Sequence, residues 1–284
     1  MFVYFCEMQM IKQLFNFYIN SSIHVALAVV SLTWISLKTH NLLFDETLLC
    51  FVFFASISGY NFVKYFGIAK FHHRRLASWL KAIQIFSLFS FILMCYFALK
   101  LHIYTLLFIA CFGLVTFFYA MPFLPKKIFL DNQYNLRSIG GLKVYLIALV
   151  WTGVTVFLPL INSQYHLQLD TVFTAIQRFV FIIVLLLPFE IRDLRYDSLK
   201  LATIPQKIGV KQTKIMGVLL LLIFYFLEFF KDEISTTTIV ILFVVIFSTG
   251  LFLIYSKKEQ GNYYSSFWVE GLPALWALLL LLFS

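Results

Sequence analysis

Charged residues are scarce in this sequence: they make up 12% of its 284 residues, about half of their share in soluble globular domains. Hydrophobic residues account for 62% of the chain, and the mean hydropathy is +0.90. So few polar side chains cannot cover the surface of a water-soluble globule. The composition therefore excludes a soluble enzyme, a secreted disulfide-rich domain and a disordered tail, and it indicates an integral membrane protein.

Cysteine is also scarce, with four residues in the whole chain and no Cys-x-x-Cys pair. Three of the four lie inside apolar runs, where a cysteine behaves as a small hydrophobic residue. The sequence therefore predicts neither a disulfide framework nor a zinc site.

The amino terminus lacks a basic region followed by a cleavage site, so we expect no removable signal peptide. Met1, Met8 and Met10 are all candidate starts, and Met8 or Met10 would place IKQLF close to the amino terminus. Residues 1–7 are accordingly given no role in the sequence-based interpretation.

What the sequence does contain is long, unbroken apolar runs such as TTTIVILFVVIFSTGLFLIY. A transmembrane β-barrel would instead show short segments of alternating apolar and polar residues. A helix needs about 20 residues to cross the hydrocarbon core. The pattern predicts an all-α polytopic protein with one transmembrane domain over residues 1–284. Its nine predicted spans are 17–37, 46–66, 79–99, 101–121, 142–161, 171–190, 213–230, 235–255 and 267–283.

Basic residues are distributed asymmetrically about these spans. Eighteen of the 22 Lys and Arg residues fall in the amino terminus and the even-numbered loops, and three fall on the other side. The positive-inside rule places the amino terminus and the long loops 67–78, 122–141 and 191–212 in the cytoplasm. An odd number of spans places the carboxyl terminus outside. The formal net charge of +9 therefore requires no nucleic-acid partner.

The segment after the sixth predicted span is rich in carboxylates. Asp193 and Asp197 are four residues apart, so they share one face if the helix continues through both, and Glu190 lies near that face. Two or three carboxylates at a membrane surface suit a Mg²⁺ ion that also binds phosphate oxygens. An isolated Asp-x-x-x-Asp pattern more often lies in an ordinary solvated loop of mixed charge.

The residues around these carboxylates favour the first interpretation. Arg192, Asp193 and Asp197, followed by Thr203-Ile204-Pro205 and Gly209, resemble the second aspartate-rich motif of the UbiA-type intramembrane prenyltransferases, with Lys200 replacing the central glycine. The stretch from Tyr119 to Pro122, with Lys126 and Lys127 after it, is similar to the family segment at the end of helix four. GLKVYLIALVW at 141–151 also resembles the start of the family's fifth helix.

The resemblance covers most of the chain and implies a fold of nine transmembrane helices with cytoplasmic loops after helices two, four and six. It implies transfer of an isoprenoid chain from a prenyl diphosphate to a lipophilic acceptor at the cytoplasmic face, with Mg²⁺ as cofactor. By the same resemblance, Asp193, Asp197 and Tyr119 are catalytic, and the two aspartates hold metal together with Glu190. Tyr119 and Lys126 orient the diphosphate, and Arg192 contributes to substrate binding.

The sequence departs from the family at the first aspartate-rich motif. Asn61 is retained, but the three aspartate positions hold Phe62, Tyr65 and Ala69, and residues 47–130 contain no Asp or Glu. The usual arrangement with metal at both motifs is therefore excluded, and at most one Mg²⁺ site is expected.

Basic residues surround the place of the missing carboxylates. Lys64, Lys70, His72, His73, Arg74 and Arg75 follow one another within twelve residues. Ammonium and guanidinium groups bind diphosphate directly, so Asn61, Lys64, Arg74 and Arg75 are candidate substrate ligands. Anchoring by lipid phosphates is the simpler explanation for each of these residues taken singly.

The first predicted span carries a polar stripe. Asn16, Asn20 and His24 are spaced four apart, so one continuous helix would place them on one face. Polar groups inside a span usually face a cavity or the bundle interior, which makes Asn20 and His24 candidates for an acceptor pocket or for an interhelical hydrogen bond. Arg178 is expected to extend outward to the interface, and Glu228 and Glu270 are expected to be interfacial.

Three functions are compatible with these patterns. The first is a divergent prenyltransferase-like enzyme. The second is a catalytically silent relative that binds an isoprenoid or quinone, or serves as a membrane scaffold. The third, a transporter, would usually show repeated halves and helices broken near the midplane, and the sequence shows neither clearly. The retained second motif favours the enzyme, and the lost first motif favours the silent relative.

Overall fold

The structure is a computed structural model of the 284-residue chain. It describes the backbone of residues 2–71, 78–120, 141–196 and 202–283, and the side chains of residues 9–65, 79–118, 141–196 and 202–283. The described residues form helices and contain no β-strand. The predicted all-α class is confirmed.

The helices follow the apolar runs of the sequence because a helix satisfies its own backbone hydrogen bonds in lipid. Three short segments have other hydrogen-bond spacing: π-helical turns at Gly153–Phe157 and Tyr264–Val269, and a 3₁₀ turn at Leu227–Phe230. In chain order the helices are α1 Phe2–Asn20, α2 Ile23–Thr39, α3 Glu46–Phe71, α4 Ser78–Ala98, α5 Ile103–Ala120, α6 Leu142–Thr152, α7 Leu158–Asn162, α8 Leu169–Asp193, α9 Ile204–Phe226, α10 Thr236–Tyr255 and α11 Leu272–Phe283.

Seven helical segments in the described part are long and apolar enough to cross a membrane, and the bent pair of α1 and α2 raises this number to eight. The segment 103–118 of α5 is apolar but shorter. Many large apolar side chains on α4, α5 and α10 face outward, Phe89, Leu107 and Phe243 among them. Outward apolar faces of this extent suit contact with lipid. A multi-pass membrane protein is confirmed, while the exact count of nine spans stays a prediction.

The first predicted span is not one straight helix. α1 ends at Asn20, Ser22 has the left-handed φ of 64°, and α2 begins at Ile23. The axes of the two helices differ by 52°. The chain turns here because the buried Ser21 and Ser22 are drawn into contacts with α3, described below.

The predicted loop 191–212 is shorter than expected, because α8 continues to Asp193 and α9 begins at Ile204. The backbone N–H of Thr203 donates to Gln206 Oε1 at 3.0 Å, and Pro205 occupies the first turn, where its missing N–H is not needed. Gly209 interrupts the helix with a φ of 80°. The motif residues Thr203, Pro205 and Gly209 thus start and kink α9.

α8 lies in the centre of the bundle, where Phe181, Ile182 and Leu187 are fully buried. Glycine allows neighbouring helices to approach it closely, as is usual between helices in membranes. A Cβ added at Gly217 would lie 2.3 Å from Leu253 Cδ2 and 2.8 Å from Leu187 Cδ1. α8, α9 and α10 therefore meet at a contact that leaves no room for a larger residue.

Two charged residues predicted to lie at the interface are instead inside the bundle. Arg178 is 2% exposed and Glu228 is 5% exposed. Arg178 reaches Ser36 on α2, and Glu228 pairs with Lys231. Hydropathy could not place these side chains inward, because it does not reveal which face of a helix meets its neighbours.

Candidate functional site

Charged side chains converge at the carboxyl-terminal end of α8. Lys143 Nζ, from the first turn of α6, lies 3.1 Å from Glu190 Oε1 and 3.6 Å from Asp193 Oδ2. Arg192 donates to the other oxygen of Asp193, Oδ1, from both Nε and Nη2 at 2.8 Å. The side chain of Glu190 is 3% exposed and that of Asp193 is 23% exposed. This group of four residues, the α8-end cluster, combines two carboxylates with two cations.

The start of α6 positions Lys143. Gly141 precedes the helix with a φ of +77°, a conformation that glycine adopts without strain. A Cβ at Gly141 would lie 3.2 Å from the carbonyl oxygen of Ala202, just before α9. The glycine therefore permits the starts of α6 and α9 to meet beside the end of α8.

A second polar network joins α2, α3 and α4. Asn61 is 3% exposed; its Nδ2 donates to the carbonyl oxygen of Ser21 at 3.0 Å and to Ser87 Oγ at 2.8 Å. Its Oδ1 accepts from Ser22 Oγ at 2.8 Å. Lys64 Nζ donates to the same Ser22 Oγ at 2.9 Å. Both amide hydrogens of Asn61 are used inside the protein, and Asn61 reaches Lys64 through Ser22.

His24 and Asn20 do not share a helical face, because the bend at Ser21 and Ser22 separates them. His24 is 7% exposed, and its Nε2 donates to the carbonyl oxygen of Phe267 at 2.8 Å. Its Nδ1 accepts from the Tyr18 hydroxyl at 2.7 Å. Asn20 is exposed. Of the two roles that the sequence allowed for His24, an acceptor pocket or an interhelical hydrogen bond, the structure shows the hydrogen bonds.

Glu270 links the two groups of residues. It follows the π-helical turn at Tyr264–Val269, and it interacts electrostatically with both Lys64 and Arg192. Glu270 is partly buried rather than fully interfacial. No functional role was predicted for Glu270 from the sequence. Two features of the sequence could have suggested one: Glu270 is a carboxylate at the start of an apolar run, and residues 47–130 contain no acidic residue that could pair with Lys64.

Several predicted site residues lie outside the side chains that the structure describes: Tyr119, Lys126, Arg74, Arg75 and Asp197. α8 ends at Asp193, and residues 194–196 form a turn. The argument that Asp193 and Asp197 share one helical face therefore does not hold. Of the predicted residues, the described part brings together Glu190, Arg192 and Asp193 in one cluster, and Asn61 and Lys64 in the neighbouring network.

The carboxylates of the α8-end cluster fit a cation. Glu190 and Asp193 converge on one ammonium group, which shows that their oxygens approach a common point. Carboxylate oxygens are also the donors that Mg²⁺ prefers. Within the described side chains no group of three or more His, Cys, Asp or Glu residues is arranged to hold a metal. A metal at this point would have to replace the ammonium of Lys143.

No protein-family model matches the sequence, and no curated protein matches it. The fold does match a solved structure, that of a digeranylgeranylglyceryl phosphate synthase in membranes, with a TM-score of 0.55. The two chains are 16% identical, and the match covers 95% of this chain and 96% of the other. That synthase is a UbiA-type prenyltransferase. The predicted resemblance is confirmed at the level of fold: this chain shares a UbiA-like fold with that synthase.

Proposed function

We propose that this protein is a divergent membrane prenyltransferase, which binds a prenyl diphosphate at the Asp193 end of the bundle and transfers the isoprenoid chain to a lipophilic acceptor. Two observations support the proposal: the fold is shared over nearly the whole chain with a prenyltransferase, and cations converge where the second motif ends. The observation that carries it is that the ammonium of Lys64, bound to Ser22, and the guanidinium of Arg192, bound to Asp193, both interact electrostatically with Glu270.

In the proposed complex the diphosphate lies between Lys64 and Arg192. An ammonium and a guanidinium group provide hydrogen bonds and positive charge for the leaving diphosphate, in place of the carboxylate-bound metal that the sequence around Asn61 cannot hold. Asn61 acts as a positioning residue, since it holds Ser22, which in turn holds Lys64. Glu270 attracts both cations and partly compensates their charge before the ligand arrives.

The remaining predicted ligands complete this proposal. Arg74 and Arg75 cover further charge of the diphosphate, and Tyr119 with Lys126 orients it. The acceptor approaches along α1 and α2, with Asn20 at the mouth and His24 fixing the wall through Phe267. The apolar interior of the bundle keeps water from the allylic cation. We place this end in the cytoplasm, as the basic asymmetry of the sequence predicts.

Glu190, Asp193 and Asp197 would hold one Mg²⁺ ion, which would neutralise charge on the leaving diphosphate. Lys143 competes with that ion, because its ammonium already lies between Glu190 and Asp193. Binding of prenyl diphosphate should therefore weaken, but persist, when the divalent ion is chelated.

The test is incubation of the purified protein with radiolabelled prenyl diphosphates of several chain lengths, with and without Mg²⁺ and candidate aromatic acceptors. Binding and product formation are measured separately. Asp193→Asn should weaken binding about tenfold or more, because it removes a proposed ligand of the Mg²⁺ ion and the carboxylate that positions Arg192. Replacing Arg74 and Arg75 together with Ala should weaken binding at least as much as Asp193→Asn.

Glu259→Gln is the matched control, because Glu259 is an exposed carboxylate outside both polar groups. It should bind as the parent does. Saturable binding without any product would favour the alternative, a catalytically silent protein of the same fold that binds isoprenoids. Absence of both binding and product across the panel would contradict the proposal.

A further inference from the structure

A second polar region lies at the other end of α8. Arg178 precedes Asp193 by about four helical turns, or roughly 22 Å along the helix axis. There a partly open cavity of about 540 Å³ is bounded by the end of α2, the start of α8, the turn between α9 and α10, and α11. That volume is in the range of sites for small molecules and cofactors. The proposed prenyl diphosphate site does not use it.

Arg178 lines this cavity and is almost fully buried, with 2% exposure. Its Nη2 donates to Ser36 Oγ at 3.1 Å, and its guanidinium carbon lies 5.1 Å from the centre of the Trp276 ring. Its Nη1 has no hydrogen-bond partner among the described residues. No described carboxylate forms an ion pair with it either. A buried guanidinium is costly unless an anion compensates its charge, so this side chain is one half of an incomplete pair.

Three more buried polar atoms on the same cavity lack partners among the described residues. They are Trp276 Nε1, Thr174 Oγ1 and His40 Nε2. His40 Nδ1 lies 3.0 Å from the carbonyl oxygen of Ser36, which can only accept. Burial lowers the pKa of His40, so its neutral ring carries the proton on Nδ1 and presents Nε2 as an acceptor. Two N–H donors, one hydroxyl and one acceptor without a partner among the described residues therefore belong to residues that line one cavity.

Glu228, a buried carboxylate that lines the same cavity, is already committed to other partners. Glu228 Oε2 accepts from Lys231 Nζ at 2.7 Å and from Gln177 Nε2 at 3.0 Å. Asp170, Asp232 and Glu233 also line the cavity, and the last two are exposed. The rim carries these three carboxylates and the ammonium of the exposed Lys38, so its net charge is negative, whereas the buried Arg178 makes the interior positive. This pattern suits a ligand with an anion at one end and a cation at the other.

We propose that this cavity binds a zwitterion that carries a phosphate and a primary ammonium group. The phosphate accepts hydrogen bonds from Arg178 Nη1 and Trp276 Nε1, and its negative charge compensates the buried guanidinium. The ammonium lies among the carboxylates of Asp170, Asp232 and Glu233. The same chemistry occurs in the headgroup of an ethanolamine phospholipid and in free phosphoethanolamine.

Thermal unfolding of the delipidated, detergent-purified protein tests the soluble source, with phosphoethanolamine, inorganic phosphate and ethanolamine as separate probes. Native mass spectrometry tests the lipid source, with phosphatidylethanolamine against phosphatidylglycerol. Phosphoethanolamine should raise the Tm more than either fragment does. Preferential retention of phosphatidylethanolamine, displaced by excess phosphoethanolamine, would assign the site to a lipid headgroup. A Tm increase with phosphoethanolamine and no preferential lipid retention would assign it to a free ligand.

Arg178→Gln should weaken binding of the retained probe about thirtyfold or more, because it removes the charged partner of a buried pair. Arg195→Gln, an exposed arginine at the other end of the bundle, should leave that binding unchanged. Trp276→Phe keeps the ring and removes only the Nε1 donor, so about fivefold weakening is expected. Trp268→Phe is its control, since Trp268 is 58% exposed.

The proposal is overturned if none of the probes binds the parent protein, a result that would leave water as the partner of these atoms. It is equally overturned if Arg178→Gln and Trp276→Phe, both folded, bind as the parent does. Inorganic phosphate that binds as tightly as phosphoethanolamine would contradict the role of the acidic rim.

Discussion

The two ends of α8 differ in whether their buried charges are paired within the protein. At the Asp193 end, Glu190 and Asp193 are paired with Lys143 and Arg192, so the carboxylates and the cations compensate each other. At the other end, Arg178 lies in the interior with a serine and an indole ring beside it and no described carboxylate paired to it. The first end is self-compensated, whereas the second has a buried guanidinium that is not paired with a carboxylate among the described residues and that we propose binds an external ligand.

This difference in charge pairing affects how each end would bind an anionic ligand. A self-compensated cluster keeps its geometry in the absence of a ligand, and a phosphate that enters must compete with internal pairs. An uncompensated guanidinium gains the full benefit of an incoming anion, since nothing has to be displaced. The Asp193 end therefore suits exchange of substrate, and the Arg178 end suits a ligand that stays bound.

The largest expected effect concerns the side of the membrane on which each end lies. Single cysteines at Ser163, beside the start of α8, and at Lys258, after α10, are exposed positions in the structure. In a cysteine-free background an impermeant thiol reagent should label them from opposite sides, and Lys258→Cys from the cytoplasm. Labelling of both from the same side would refute the predicted orientation and the separation of the two ends.

A second effect concerns the internal cation of the Asp193 end. Lys143→Gln removes the ammonium that lies between Glu190 and Asp193, so Mg²⁺ should bind about tenfold more tightly, a change of about 1.4 kcal/mol. Isothermal titration calorimetry, or paramagnetic resonance with Mn²⁺, measures this without any turnover. Lys211→Gln, at an exposed position on α9, is the control, and an unchanged affinity in Lys143→Gln would show that Lys143 does not compete with metal.

The smallest effect concerns the network behind Lys64. Asn61→Ala removes three buried hydrogen bonds, those to Ser22 Oγ, Ser87 Oγ and the Ser21 carbonyl oxygen, which should lower the free energy of unfolding by about 1–3 kcal/mol. Asn16→Ala removes a single hydrogen bond, the one that Asn16 Oδ1 accepts from the Tyr263 hydroxyl, and should cost less. Thermal unfolding in one detergent compares the two. Equal losses would mean that Asn61 does not organise this region.

The sequence predicted the Asp193 end because its residues are close together along the chain. Glu190, Arg192 and Asp193 lie within four positions, and the threonine, proline and glycine that follow have local roles in starting and kinking α9. Lys143 could not be assigned to this cluster, because it is nearly fifty residues away and a basic residue near a helix start is common. Glu270 was missed for the same reason.

The straight first span was a wrong prediction with an identifiable cause. Apolar periodicity continues through residues 17–37, yet Ser22 turns the chain because its hydroxyl is held between Asn61 and Lys64. Those partners lie about forty residues further along the chain. A contact between distant segments therefore overrode a local pattern that favoured a continuous helix.

The sequence by itself determined the membrane environment, the helical class and the family resemblance, because hydropathy and short motifs depend on residues near one another. Only the tertiary structure decided which polar groups meet. It turned Arg178 inward to Ser36 and Trp276, placed Lys143 between two carboxylates, and set Glu270 near both Lys64 and Arg192. Helix packing alone fixes which face of each helix is buried, and in a bundle of apolar helices the composition of those faces is too uniform to reveal it.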